Sequence, residues 1–152
     1  MNLLLDTNII LNIVRAKDYN GIINFINPDN SNLYISVVSE AEIKSLALRN
    51  KWGIKRSELL DDFLEEVNII EVNQLSVSIY TQIDAYSQRL NPDFENYQFD
   101  TPRNMGKNDL WIASLAALLG LRLLTTDSDF DHLNDVFFEV KKLSYSDFQS
   151  YF

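Results

Sequence analysis

The chain has 152 residues, 46% of them apolar, with few Gly and Pro and no Cys. It therefore reads as one globular domain (residues 1–152) that buries roughly 70% of its unfolded surface without a disulfide or metal staple. The missing cysteines exclude a disulfide scaffold, a thiol nucleophile and a thiolate zinc site, and the formal charge of −9 argues against a broadly basic nucleic-acid binder. No basic segment followed by an apolar core opens the chain, and the most apolar stretch, Leu110–Leu121, falls short of the ~20 residues needed to span a bilayer. The expectation is a soluble cytoplasmic protein with no membrane partner.

In chain order, Asn2 to Leu5 reads as a short buried strand that stops on Asp6, with a helix near Ile9 to Arg15. A second strand, Leu33 to Val37, leads into a helix over about Glu40 to Asn50. Ser57 is positioned to cap a third helix carrying Leu59, Leu60, Phe63 and Val67 at helical spacing. Asn68 to Val72 is a third strand. Leu75, Ile79, Ile83 and Tyr86 mark the apolar face of a helix ending near Leu90. Asn91 to Lys107, with its Pro, Asn and Gly residues, breaks the pattern and is a loop long enough to suggest a role. Asp109 to Leu119 is apolar on nearly every face and predicts a central helix closed by Gly120. Leu121 to Thr125 is a fourth strand, Val136 to Val140 a last one, and Tyr145 to Phe152 a closing helix. Strands alternating with helices predict a three-layer α/β fold, with a mostly parallel sheet of four to five strands flanked by helices.

Four acids fall at strand exits or in first turns of helices: Asp6, Glu42, Asp109 and Asp127. Each also fits a purely local role. Asp6 suits a helix cap, Ser39 and Glu42 a capping box, Asp109 a dipole-favoured first turn and Asp127 an Asx-turn. In a parallel sheet, however, all these positions lie along one edge, where ligands bind. Two like charges ~4 Å apart repel by about 4 kcal/mol at an effective dielectric of ~20. Four converging carboxylates therefore call for bound protons or a cation. Oxygen donors with open water positions suit Mg²⁺ or Mn²⁺, and such an ion activates water and neutralises charge on a phosphodiester. Thr7, Asn8, Thr126 and Ser128 are placed to orient the carboxylates or ligand waters, or simply to form turns. Lys44, Arg49, Lys51, Lys55 and Arg56, with Trp52 among them, read either as a solvated helix end or as a local phosphate contact.

The segments Leu5-Asp6-Thr7-Asn8, Ser36 to Ile43, Asn108 to Ala113 and Leu124 to Phe130 together resemble PIN-domain ribonucleases, and within them the VapC-type toxins of toxin–antitoxin pairs. The resemblance implies a PIN-like fold and metal-dependent endonucleolytic cleavage of RNA. It puts the four family acids on Asp6, Glu42, Asp109 and Asp127 as catalytic and metal-binding residues, with Mg²⁺ or Mn²⁺ as cofactor. Glu42 is preferred to Glu40 because it precedes Ile43; Asp129 competes for the fourth position or assists through water. The resemblance also implies an RNA substrate, a cognate antitoxin whose tail blocks the acidic groove, and a homodimer. Lys44 and Lys107 are candidate phosphate contacts. The loop over Asn91 to Lys107 exceeds the family's usual length. Two other readings stand beside this one. A haloacid-dehalogenase-like phosphatase also begins with a strand ending in Asp, but Asn8 stands where it needs a second acid. A non-catalytic metal- or RNA-binding module would keep the fold and lose the chemistry.

Overall fold

The computed structural model describes residues 1–152. Five strands, β1 (Leu3–Leu5), β2 (Leu33–Ser36), β3 (Asn68–Ile70), β4 (Arg122–Thr125) and β5 (Val140–Lys142), form one sheet in the order β3-β2-β1-β4-β5. Every neighbouring pair is parallel. The chain leaves β1 for β2 on one side and later returns to β4 on the other, so the strand order reverses beside β1. That is the switch point at which open α/β sheets bind ligands.

Side-chain alternation along the strands splits the interior into two. Leu3, Leu5, Ile35 and Leu124 face a core closed by α1 (Thr7–Arg15), α2 (Tyr19–Ile26), α3 (Val37–Arg49), α4 (Ile54–Glu66) and Phe148 near the C-terminus. Leu4, Leu121 and Leu123 face a second core built from α5 (Leu75–Ser87), α6 (Lys107–Leu119), Phe130, Leu133 and Phe138. Helix α6 is buried on nearly every face, as its sequence predicts, and Gly120 ends it in the left-handed conformation at φ 63°. No helix is long and apolar enough to cross a membrane.

The structure departs from the sequence reading at element starts. Helix α1 begins at Thr7, because Asp6 caps it by accepting from the Thr7 N–H at 2.8 Å. Helix α3 begins at Val37 with Ser36 as its cap. Ser39 is therefore inside the helix and fully buried, the expected capping box does not form, and Glu42 is freed for another use. Gly53, not Ser57, caps α4. Helix α2 was not foreseen: Asn20, Gly21 and Asn24 are weak helix formers, and the helix is started by Asp18 accepting from the Gly21 N–H at 3.0 Å. The last strand is Val140–Lys142 rather than Val136 to Val140. Residues 134–138 instead fold as a turn, closed by a 2.9 Å bond from the Asp135 N–H to the Phe138 carbonyl, with Asp135 at φ 59°. The C-terminal helix is a 3₁₀ segment, Tyr145–Tyr151.

The 91–107 segment is a loop, but a tightly held one. Phe94, Tyr97 and Phe99 pack around Tyr86 together with His132 and Phe137. Asn91 is buried and its amide donates to the Gln82 carbonyl at 3.0 Å. The Arg103 N–H donates to the Ser87 carbonyl at 2.7 Å, and the Ser87 hydroxyl meets His132 Nε2 at 2.7 Å. Burial, aided by the positive charge of Arg103, pushes the His132 pKa down to about 4. The unfolded chain takes up that proton near the ordinary value of about 6.5. The contribution of neutral His132 is thus fully present above about pH 6.5 and is lost as pH falls toward 4. His132→Gln should flatten this dependence: between pH 7 and 4.5 the wild type should lose more of its urea midpoint than the variant.

Candidate active site

The carboxyl edge of the sheet opens into a cleft of about 780 Å³ at the switch point. Asp6, Glu42, Asp109 and Asp127 all line it, each delivered by a different segment: the end of β1, the second turn of α3, the first turn of α6 and the exit of β4. Asp109, Asp127 and Asp129 each present an oxygen within 4.8 Å of the others. Asp129 thus stands in the carboxylate cluster itself rather than behind it.

Hydrogen bonds fix Asp6 and Glu42. Asp6 is 4% exposed; its Oδ1 accepts from the Thr7 N–H and its Oδ2 from the Thr125 hydroxyl at 2.7 Å. The Thr7 hydroxyl lies 2.9 Å from Glu42 Oε1 and 3.0 Å from Ser39 Oγ. A carboxylate only accepts and a hydroxyl has one proton, so Thr7 donates to Glu42 and accepts from Ser39. At the β4 exit, the Asp127 N–H donates to Thr125 Oγ1 at 2.9 Å, and Asp127 Oδ1 accepts from the Asp129 N–H at 2.9 Å. The Arg103 guanidinium donates to the Ser128 carbonyl at 2.7 Å, bracing the turn that carries Asp127 and Asp129.

Crowding leaves a mark on the ionisation. Burial, with the charges of Asp127 and Glu42 adding to it, raises the Asp6 pKa to about 6 against the opposing hydrogen bonds. Burial first, then the charges of Asp6, Asp127, Glu42 and Asp129, raises that of Asp109 to about 7. The cleft is thus short of positive charge, and hard oxygen donors dominate it.

The remaining expected residues are placed unevenly. Thr7 and Asn8 line the cleft. Ser128 supplies its carbonyl to Arg103. The role expected of Thr126 falls instead to its neighbour: it is the buried Thr125 hydroxyl that bonds Asp6 and Asp127. Thr125 follows Leu123 and Leu124, which face the cores, and a hydroxyl in that buried run is the signal that identifies it. Lys107 borders an adjoining hollow with Glu42 and Asp109. Lys44 is engaged elsewhere, ion-paired with Glu40 at 3.0 Å one helical turn away. The cation that α3 does bring to the cleft is Arg49, seven residues and two turns beyond Glu42.

The PIN domain profile matches residues 3–136. The chain belongs to the PIN domain family. Among solved structures, this PIN domain is similar to VapBC2 from Rickettsia felis bound to a DNA fragment from their promoter, with TM-score 0.72 and 21% identity over 93% of this chain and 98% of that one. It is also similar to VapBC-1 from nontypeable Haemophilus influenzae, at TM-score 0.70 and 23% identity over the same shares. A third likeness is to VapBC-5 from Mycobacterium tuberculosis, a member of the VapBC family of toxin–antitoxin systems, at TM-score 0.62 and 19% identity over 93% and 98%. At these identities the likeness is one of fold. No match was found among curated proteins.

Two outcomes test the site of this PIN domain without any activity. The folded protein binds the Asp109 proton more tightly than the unfolded chain does, so the charge destabilises the fold increasingly as pH rises from about 4 through 7. Asp109→Asn should therefore come close to the wild-type melting temperature near pH 4, pull ahead as pH rises, and exceed it by a few degrees at pH 8. Thr125→Val keeps the shape but strips a donor from buried Asp6 and an acceptor from the Asp127 N–H. Urea denaturation should show a loss of about 1–3 kcal/mol, with Thr125→Ser recovering most of it.

Proposed function

We propose that this PIN domain is a divalent-metal-dependent endoribonuclease and the toxin of a toxin–antitoxin pair. One observation carries the reading: Asp109, Asp127 and Asp129 bring three carboxylate oxygens within 4.8 Å of one another, and Asp109 and Asp127 line the same cleft as Asp6 and Glu42. All donors are hard oxygens and no sulfur or imidazole takes part, which fits Mg²⁺ or Mn²⁺ and not Zn²⁺. Asp6, Glu42, Asp109 and Asp127 are the candidate metal-binding and catalytic residues, with Asp129 now beside them.

The chemistry a bound divalent ion supplies here is a lowered pKa for coordinated water and neutralised charge on the phosphodiester. The chain's own residues do the rest. Thr7 and Thr125 hold Glu42 and Asp6 in fixed orientations, so these acids need no reorganisation when substrate arrives. Asp109, crowded by the neighbouring acids in the ion-free site, would be held as a carboxylate ligand once a cation offsets that crowding. Arg49 and Lys107, at the cleft wall and in the adjoining hollow, provide positive charge at the rim for flanking phosphates.

The toxin assignment rests on the family and on the likeness to structures of VapBC complexes. It brings with it a small antitoxin that masks the acidic cleft, and a homodimer of this chain.

The test uses purified protein, RNA and Mg²⁺ or Mn²⁺. Wild type should cut RNA only with the ion present, and Asp127→Asn should reduce cutting to background while remaining folded. Mn²⁺ should raise the wild-type melting temperature and raise that of Asp127→Asn less. Retained Mg²⁺-dependent cleavage in Asp127→Asn would overturn the residue assignment. Metal binding without cleavage of any RNA would favour the non-catalytic module. Growth arrest on expression, relieved by Asp127→Asn, would support the toxin reading.

A further inference from the structure

The face that the acidic cleft leaves unexplained is basic. Where α1 ends and α3 turns into α4, a second hollow of about 460 Å³ is lined by Arg15, Lys17, Lys51, Lys55 and Arg56, with Trp52 in its wall and no acid among its lining residues. Five of the chain's 13 cations thus gather at one place on a molecule of charge −9. All five are exposed. None is in an ion pair: the three ion pairs use Lys44, Arg122 and Lys142. Like charges gathered without counter-charges repel, so the cluster is a standing cost that an anion would relieve.

The backbone at its centre adds a second cost. Helix α3 ends in a Schellman-type turn, with the Trp52 N–H donating to the Ala47 carbonyl at 3.1 Å and the Lys51 N–H to the Leu48 carbonyl at 3.3 Å. The residue between Asn50 and Trp52 must then be left-handed, a position that normally takes glycine. Here it is Lys51, at φ 51°; at the end of α6 the same chain uses Gly120, at φ 63°. A charged side chain is therefore held at a strained position where glycine would be more comfortable. The turn also fixes Trp52, which is half-buried against the first core, and the Arg56 guanidinium lies 5.2 Å from its ring centroid. A guanidinium laid over an indole presents its own outer plane as a platform on which a nucleobase stacks.

The hollow and the cleft are joined by two elements, α3 and α1. Arg49 lines the cleft, and the next two residues, Asn50 and Lys51, line the hollow. Helix α1 runs from Thr7 in the cleft to Arg15 in the hollow, a path of about 12 Å at 1.5 Å per residue. That span exceeds a screening length of ~8 Å at physiological ionic strength, so Asp6 at the far end of α1 does little to offset Arg15.

We infer that this hollow is a binding subsite for single-stranded RNA, in which Arg15, Lys17, Lys51 and Lys55 hold the phosphates and a base stacks on the Arg56 guanidinium that Trp52 supports, so that the strand extends from it past Arg49 into the acidic cleft. The inference rests on the ribonuclease reading for its choice of polyanion. The cations alone would leave an acidic peptide equally eligible; the indole–guanidinium platform and the short path along α3 to Arg49 in the cleft favour RNA.

The test is binding of a short fluorescent single-stranded RNA to the full chain in EDTA, followed by anisotropy across a salt series. The wild type should bind with an affinity that falls steeply with salt. Lys51→Gly should lower the salt slope by about 0.7, the value for one phosphate contact to a single strand, while raising the melting temperature, because glycine relieves the left-handed strain. Adding Lys55→Ala should lower the slope by about as much again, and Trp52→Phe should weaken binding without changing the slope. RNA affinity and slope that ignore Lys51 and Lys55 would overturn the inference. Preferential, salt-sensitive binding of a polyglutamate peptide, lost in the same variants, would overturn it in favour of a protein partner. Because no divalent ion is present, the assay reads the hollow and not the chemistry. A protein that binds RNA in this way yet never cuts it would refute the nuclease reading and leave the subsite standing. A protein that cuts RNA but binds it independently of these residues would refute the subsite alone.

Discussion

One hydroxyl holds the site together. Thr125 ends β4 beside the end of β1, where the Asp6 N–H already donates to the Leu124 carbonyl at 3.0 Å. From there its oxygen gives its proton to Asp6 and accepts the amide of Asp127. Two acids that repel each other are thus spaced by a single neutral group on adjacent strands. The same bond lets Asp6 be buried: a carboxylate this deep needs donors on both oxygens, and the helix N–H of Thr7 supplies the other. Parallel pairing of β1 with β4 is what brings the two ends level, with Leu5 opposite Leu124. Topology, capping and chemistry therefore converge at one point, and Thr125 could not be replaced by an apolar residue of the same shape without disturbing all three.

The rest of the site follows from that frame. Glu42 is anchored through Thr7, which is itself the first residue of the helix Asp6 caps. Asp127 and Asp129 lie in a turn braced from outside by Arg103. That brace explains why the long segment before α6 is ordered. Its aromatic side chains wedge it between α5 and the 3₁₀ segment Ser128–Leu133, so Arg103 is held at the right height. The guanidinium also carries positive charge toward the acids without entering their cleft.

Much of this was legible in the sequence, and the reasons are specific. The strands were found because they are short apolar runs ending in turn chemistry, and α6 because its apolar residues leave no polar face. Asp6, Glu42, Asp109 and Asp127 stand out by position, at the ends where a parallel sheet gathers its ligands, with the family pattern choosing Glu42 over Glu40, and the structure places all four around one cleft. What was missed turned on the choice between near-equivalent neighbours. Ser36 and Ser39 are both good caps, and only the start of α3 decides between them; Thr125 and Thr126 stand side by side at the end of β4, and only the direction of the last strand residue picks the first. Asp129 looked secondary because its approach to Asp127 depends on a local Asx-type turn. Helix α2 was hidden by residues with little helical preference, stabilised instead by a capping aspartate and by packing on the first core. The displaced β5 reflects phenylalanines that fill the second core from a turn.

The split interior has a consequence for how the molecule can be watched. The chain has two tryptophans, and the sheet separates them. Trp52 packs against the core on the α1–α4 side, whereas Trp111 on α6 lies against Tyr80 of α5, with ring centroids 4.3 Å apart. Each indole is therefore an optical reporter of one half. Replacing either with phenylalanine leaves a single emitter, and comparing the two emitters during denaturation reveals whether the halves melt as one cooperative unit or come apart along the sheet.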